Sequence, residues 1–96
     1  MTARETESAL LERCIAIAQG TEQAARNARE ANVFGVAGML IRSRFAAESN
    51  RLMGVSEQYF STNPGERVES AEVVRLGWVV DLPRLRDMLF HRLERH

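Results

Sequence analysis

Lysine is absent from this sequence of 96 residues. All thirteen Lys-or-Arg positions are arginine, and thirteen acids balance them to a formal net charge of zero. A zero balance argues against a chain built mainly to coat nucleic acid, because neutralising phosphates takes a cation surplus or a basic face. The all-arginine choice fits a GC-rich genome. Its physical consequence is that each such cation is a planar guanidinium, suited to bidentate ion pairs at interfaces. Cysteine is nearly as scarce. Cys14, the sole one, excludes an internal disulfide framework and a cysteine-rich metal site, and among Leu10, Leu11, Ile15 and Ile17 it reads as a buried, inert thiol.

Long hydrophobic runs are missing as well. The longest, residues 33–41, ends at Arg42 and is far short of the roughly 20 residues that span a bilayer. The opening, with Thr2, Arg4, Glu5 and Glu7, is too polar for a signal peptide, so a cytoplasmic setting without a membrane partner is expected. Motifs that carry chemistry are absent too: no glycine-rich phosphate loop, no metal-ligand spacing and no nucleophile elbow. The histidines, His91 and His96, fall on or beyond the last expected helix. Asp87 and His91 are four apart and suit a surface hydrogen bond better than a catalytic pair, there being no nucleophile beside them. Glu69 and Glu72 read as first-turn acids favoured by a helix dipole. No catalytic, cofactor-binding or metal-ligating residue is assigned, and the chain is expected not to be an enzyme.

What is present is a helical seam of small residues. Ala24, Ala28, Ala31, Gly35 and Gly38 recur at spacings of four and three, the a/d period, and the register extends to Leu10, Cys14 and Ile17 on one side and to Phe45 and Leu52 on the other. Such a stripe lets a second helix approach closely, from the same chain or from another copy. Residues 33–41 are apolar on nearly every side, and a helix apolar all round is buried all round. One small domain seldom encloses a helix fully, so a homodimer seam through residues 24–45 is expected. Its candidate interface is Ala28, Ala31, Phe34, Gly35, Gly38, Met39, Ile41, Arg42 and Phe45.

In chain order, residues 1–5 are expected to fray, and Thr6 or Ser8 to cap a first helix. Gly20 reads as its stop and Thr21 as a new cap, with a central helix running to Gly54. Ser56 to Phe60 reads as a short capped turn. Ser61-Thr62-Asn63-Pro64-Gly65 is the clearest loop. A short helix is expected over residues 70–76 with Gly77 as its stop, then an extended segment at 78–80. Asp81-Leu82-Pro83 opens the last helix, Asp as cap and Pro in the first turn.

The expected fold is therefore a single all-α domain, a helical hairpin or bundle: helical core 6–54, loop 61–66 and C-terminal segment 67–96. In size and in its dimeric helical design it is similar to small bacterial regulators that work by sequestration, such as antiactivators of quorum-sensing transcription factors and secretion chaperones. That likeness implies a protein-binding regulator that masks a surface of another regulator. The alternative is a DNA-binding repressor using Arg84, Arg86, Arg92 and Arg95. These do not share one helix face, which favours the solvated reading, and nucleic acid is the lesser expectation. Trp78, Arg84 and Arg86 form a candidate second interface, since Trp and Arg are enriched at hot spots.

Overall fold

Capping chemistry and apolar periodicity divide the chain into five helices: α1 (Ala3–Ala18), α2 (Ala28–Ile41), α3 (Ala46–Thr62), α4 (Ser70–Arg75) and α5 (Leu82–Glu94), with one turn of 3-10 helix at Pro64–Glu66. The computed structural model describes residues 3–95, with side chains from Thr6 to Arg95. Among these residues there is no strand, and no helix is long and apolar enough to cross a membrane. The fold is all-α.

Two glycines end helices by the same device. Gly20 has φ +82°, and its N–H donates to the Ile17 carbonyl while that of Thr21 donates to the Ala16 carbonyl. Gly77 has φ +77°, with the Gly77 and Trp78 N–H groups donating to the Val74 and Val73 carbonyls. Both are Schellman motifs, which place a left-handed residue where a side chain would be strained. At the start of α5, the Asp81 Oδ1 accepts the Arg84 N–H at 2.6 Å and Pro83 lies in the first turn. These elements match the expected punctuation.

The middle of the chain departs from it. Residues 21–27 are irregular rather than helical, and the cap of α2 is Asn27, whose Oδ1 accepts the Glu30 N–H at 3.0 Å. Glu30 Oε1 reaches back to the Arg26 N–H at 2.9 Å. This is a variant of the capping box, with the carboxylate closing on the residue before the cap. The Arg13 guanidinium, from α1, meets both Glu30 oxygens at 3.0 and 3.2 Å and donates to the Ala24 carbonyl, fixing the irregular segment across the helix pair.

The expected single central helix is two. It breaks at residues 42–45, where Arg44 and Phe45 donate back to the Ile41 carbonyl. No glycine or proline marks the break; packing decides it. Phe45 lies 5.8 Å from the Phe90 ring, and Arg44 pairs with Glu94, so the corner is pinned to α5. After it α3 runs through Gly54 without interruption and absorbs residues 56–60, because Leu52, Ser56 and Phe60 line up on its buried face. Thr6 and Ser8, expected as caps, lie inside α1, which begins at Ala3. Residues 78–80 are bends.

One apolar cluster unites the helices, with Cys14, Ile17, Phe34, Ile41, Leu52, Val73, Leu85 and Leu89 at its centre. α2 runs through the middle and touches α1, α3, α4 and α5. The chain thus encloses its most apolar helix by itself, and the burial that suggested a dimer is accomplished within one copy.

Candidate functional site

The stripe of small residues serves the α2–α3 hairpin. A Cβ on Gly38 would lie 2.5 Å from Met53 Cγ and 3.1 Å from the Ser49 carbonyl oxygen; one on Gly35 would lie 2.9 Å from Ser56 Oγ. Both glycines permit an approach that alanine would block. Ser49 Oγ donates to the Gly38 carbonyl at 2.7 Å across the contact. Ser56 Oγ, facing the bare Cα of Gly35, is the one buried side-chain polar atom without a partner among the described residues.

The expected dimer interface is corrected accordingly. Ala31, Phe34, Gly38 and Ile41 are buried inside this chain, Gly35 is covered by α3, and Ala28 is half-buried in the first turn of α2. Ala24 lies in the irregular segment, off the stripe. Only Met39 and Arg42 remain on the surface, with Phe45 half-buried against Phe90. A periodic small-residue stripe announces a close helix contact without naming the partner helix.

The second expected interface is mostly engaged as well. Trp78 is half-buried with the Arg29 guanidinium 5.8 Å from its ring centroid. Arg84 pairs with the buried Glu7 at 3.3 Å, Arg86 with its neighbour Asp87 at 3.2 Å, and Arg92 with Glu12 on α1. Arg92 donates two hydrogen bonds to that carboxylate, holding Glu12 below the ordinary carboxylate value, and the guanidinium is correspondingly harder to deprotonate. Asp87 is paired with Arg86 and not with His91; His96 lies outside the described residues. Glu72 pairs with Arg75 inside α4, which lowers its pKa through their hydrogen bonds. Burial pushes the Cys14 thiol up to about 12, helped by the negative charge of Glu30, so it is no nucleophile at neutral pH.

What survives on the surface is a groove of about 100 Å³ between α2, α3 and residues 67–70. Val36, Met39, Met53, Phe60 and Val68 supply its apolar lining, and Glu57 and Arg67 pair at its rim at 2.8 Å. Met39 is 58% exposed, the most open of the large apolar side chains among the described residues. The wall of the groove is set by Asn32, a buried side chain that periodicity gave no reason to single out. Its Nδ2 donates to the Ala28 and Glu66 carbonyls at 2.9 and 3.0 Å, and its Oδ1 accepts the Val68 N–H at 2.9 Å. The Arg67 guanidinium lies 4.6 Å from the Phe60 ring centroid, and Tyr59 donates to Glu66 at 3.2 Å. Residues 66–68 are thereby held as a fixed wall beside two adaptable methionines.

Compared with protein-family models, with curated proteins and with solved structures, the chain matches none. The surfaces themselves are what bear on function.

Proposed function

We propose that this chain is a non-enzymatic, protein-binding regulator that sequesters a partner in the Met39 groove. The observation that carries the reading is Met39 itself: a long apolar side chain, 58% exposed, at the mouth of a concavity shared with Met53. Methionine is flexible and polarisable, and pairs of it suit grooves that accept another protein's apolar side chains. The fixed wall at residues 66–68 and the paired rim charges would frame an amphipathic helix of the partner. By the analogy in size and helical content drawn from the sequence, the partner we propose is a transcription factor; a secretion-type chaperone would use the same surface on an exported protein. A second copy of this chain can also occupy the groove, which moves the expected homodimer from the buried seam to Met39. DNA binding is not proposed, because Arg84, Arg86 and Arg92 are each paired with a carboxylate of the same chain.

The test is affinity capture from the source organism's lysate with the parent chain and with Met39→Asp, each checked for molar mass by light scattering. The variant is expected to fold with an unchanged melting temperature, since the side chain is mostly in water, and to lose a partner that the parent retains. A self-associating parent would shift from dimer to monomer on the same substitution. Identical captures and identical masses for the two proteins would refute the reading.

A further inference from the structure

Two serines of α3 face the two glycines of α2, and only one of them is satisfied. Ser49 Oγ, opposite Gly38, donates to the Gly38 carbonyl at 2.7 Å and lies 3.8 Å from the thioether sulfur of Met53, one turn along its own helix. Ser56 Oγ stands opposite Gly35, 2.9 Å from where a Cβ would lie, and has no partner of either kind. One turn beyond Ser56 the chain carries Phe60 in place of a methionine. Ser56 is 1% exposed, so bulk water does not replace the missing bond. A buried hydroxyl in that state is costly, and native chains seldom keep one without a use.

Gly35 and Ser56 both line the Met39 groove. Met39 follows Gly35 by one turn of α2, so the exposed side chain and the recess stand side by side, about 6 Å apart on one face. A knob beside its own hole suits a two-fold axis, because a second copy turned over the first brings each knob to the other's hole. The rim charges obey the same symmetry. Glu57 and Arg67 are opposite in sign, well exposed and paired within the chain at 2.8 Å, so each has a counterpart on a second copy. A formal net charge of zero sets no repulsion between copies.

We propose that the resting occupant of the groove is a second copy of this chain, the two exchanging Met39 so that each thioether accepts the other's Ser56 hydroxyl and each Glu57 faces the other's Arg67. Ser56 thereby gains the sulfur that Ser49 finds in Met53. Rotation of the flexible methionines at the mouth opens the recess. The inference rests on the groove reading above and adds its regulation: a groove filled by a second copy is closed to any other protein.

Sedimentation velocity from micromolar to millimolar concentration reads the dimer. Glu57→Arg and Arg67→Glu change exposed side chains, so both are expected to keep the parent's circular dichroism while dimerising at least tenfold more weakly. An equimolar mixture of the two is expected to dimerise like the parent, since the arginines of one chain then face the glutamates of the other. Mixing would not repair an effect confined to the lost intrachain pair. Ser56→Ala is expected to weaken the dimer at least threefold without lowering the melting temperature in dilute solution, because the hydroxyl has no bond to lose.

A mixture that dimerises no better than either variant alone, or a Ser56→Ala chain that dimerises like the parent, overturns the proposal. A parent that stays monomeric throughout, yet loses a captured protein on Met39→Asp, overturns it and leaves the groove reading intact. A dimer restored by mixing, from a chain that captures nothing, upholds it while sequestration falls.

Discussion

The same substitution at two glycines should move stability in opposite directions. Gly→Ala in a helix interior ordinarily stabilises by about 0.5–1 kcal/mol, through the backbone entropy of the unfolded chain. At Gly54 nothing opposes that gain, since no atom lies within 4 Å of the new methyl. At Gly38 the methyl carbon would stand 2.5 Å from Met53 Cγ, 3.1 Å from the Ser49 carbonyl oxygen and 3.4 Å from Leu52 Cβ. Met53 is half-buried and can swing aside. The Ser49 carbonyl is α3 backbone, so relieving it means parting the two helices, which lengthens the Ser49 hydroxyl bond to Gly38 and loosens the packing of the buried Leu52. Overpacking of this kind costs about 1–3 kcal/mol. Set against the propensity gain, Gly38→Ala is expected to lose about 1–2 kcal/mol, a fall in melting temperature of about 4–16 °C for a domain of this size. Gly54→Ala is expected to melt a few degrees above the parent. Thermal melts and urea midpoints at constant slope measure both. A Gly38→Ala chain as stable as the parent would show that α2 and α3 are not in tight contact, and the intrachain account of the stripe would fall.

Asn32→Ala leaves the Val68 N–H and the Glu66 carbonyl without their partner and is expected to destabilise by about 1–3 kcal/mol, with hydrogen exchange at Val68 accelerating most. The Cys14 thiol, fully buried and shifted up to about 12, should resist a disulfide-exchange reagent such as DTNB in the native state and react once urea unfolds the chain; prompt reaction without denaturant would place it at the surface. The Glu12–Arg92 pair carries a pH signature. Glu12 titrates lower in the folded chain than its ordinary 4.5, so its contribution is complete above that value and disappears as pH falls through the lowered one. Arg92→Gln should therefore cost a little stability at pH 7, within about 1 kcal/mol for so exposed a pair. That difference should begin to shrink as pH falls below 4.5 and go on shrinking as pH falls through the lowered value; a constant gap across the acid range would contradict it.

Punctuation was the legible part of the sequence. Gly20, Gly77 and Asp81-Leu82-Pro83 act locally, through φ or a side chain a few residues away, and each does what its residue type implies. The largely buried character of residues 33–41, Met39 excepted, was legible for the same reason: composition carries it. What encloses them was not, because α1, α4 and α5 reach α2 from distant parts of the chain. The corner at 42–45 depends on Phe90 and Glu94, some fifty residues on, and leaves no local signature. The start of α2 did leave one. Asn27 followed three residues later by Glu30 is a capping-box spacing, overshadowed by the alanine period running through it. Of the expected interface, Met39 and Arg42 proved superficial, Met39 at the mouth of the groove between α2 and α3, a distinction that helical phase allows only once the neighbouring helix is known.

Glu7 is a buried carboxylate on α1 that accepts the Val80 N–H and pairs with Arg84, and five residues further along Glu12 takes Arg92. These partners lie more than seventy residues away along the chain. Without Val80 and α5 in place, an α1 packed in its native position would hold its buried carboxylate without partners, which costs several kcal/mol. α1 and α5 are therefore expected to settle together, in one cooperative step. Removing α5 should yield an unfolded polypeptide, not a smaller bundle.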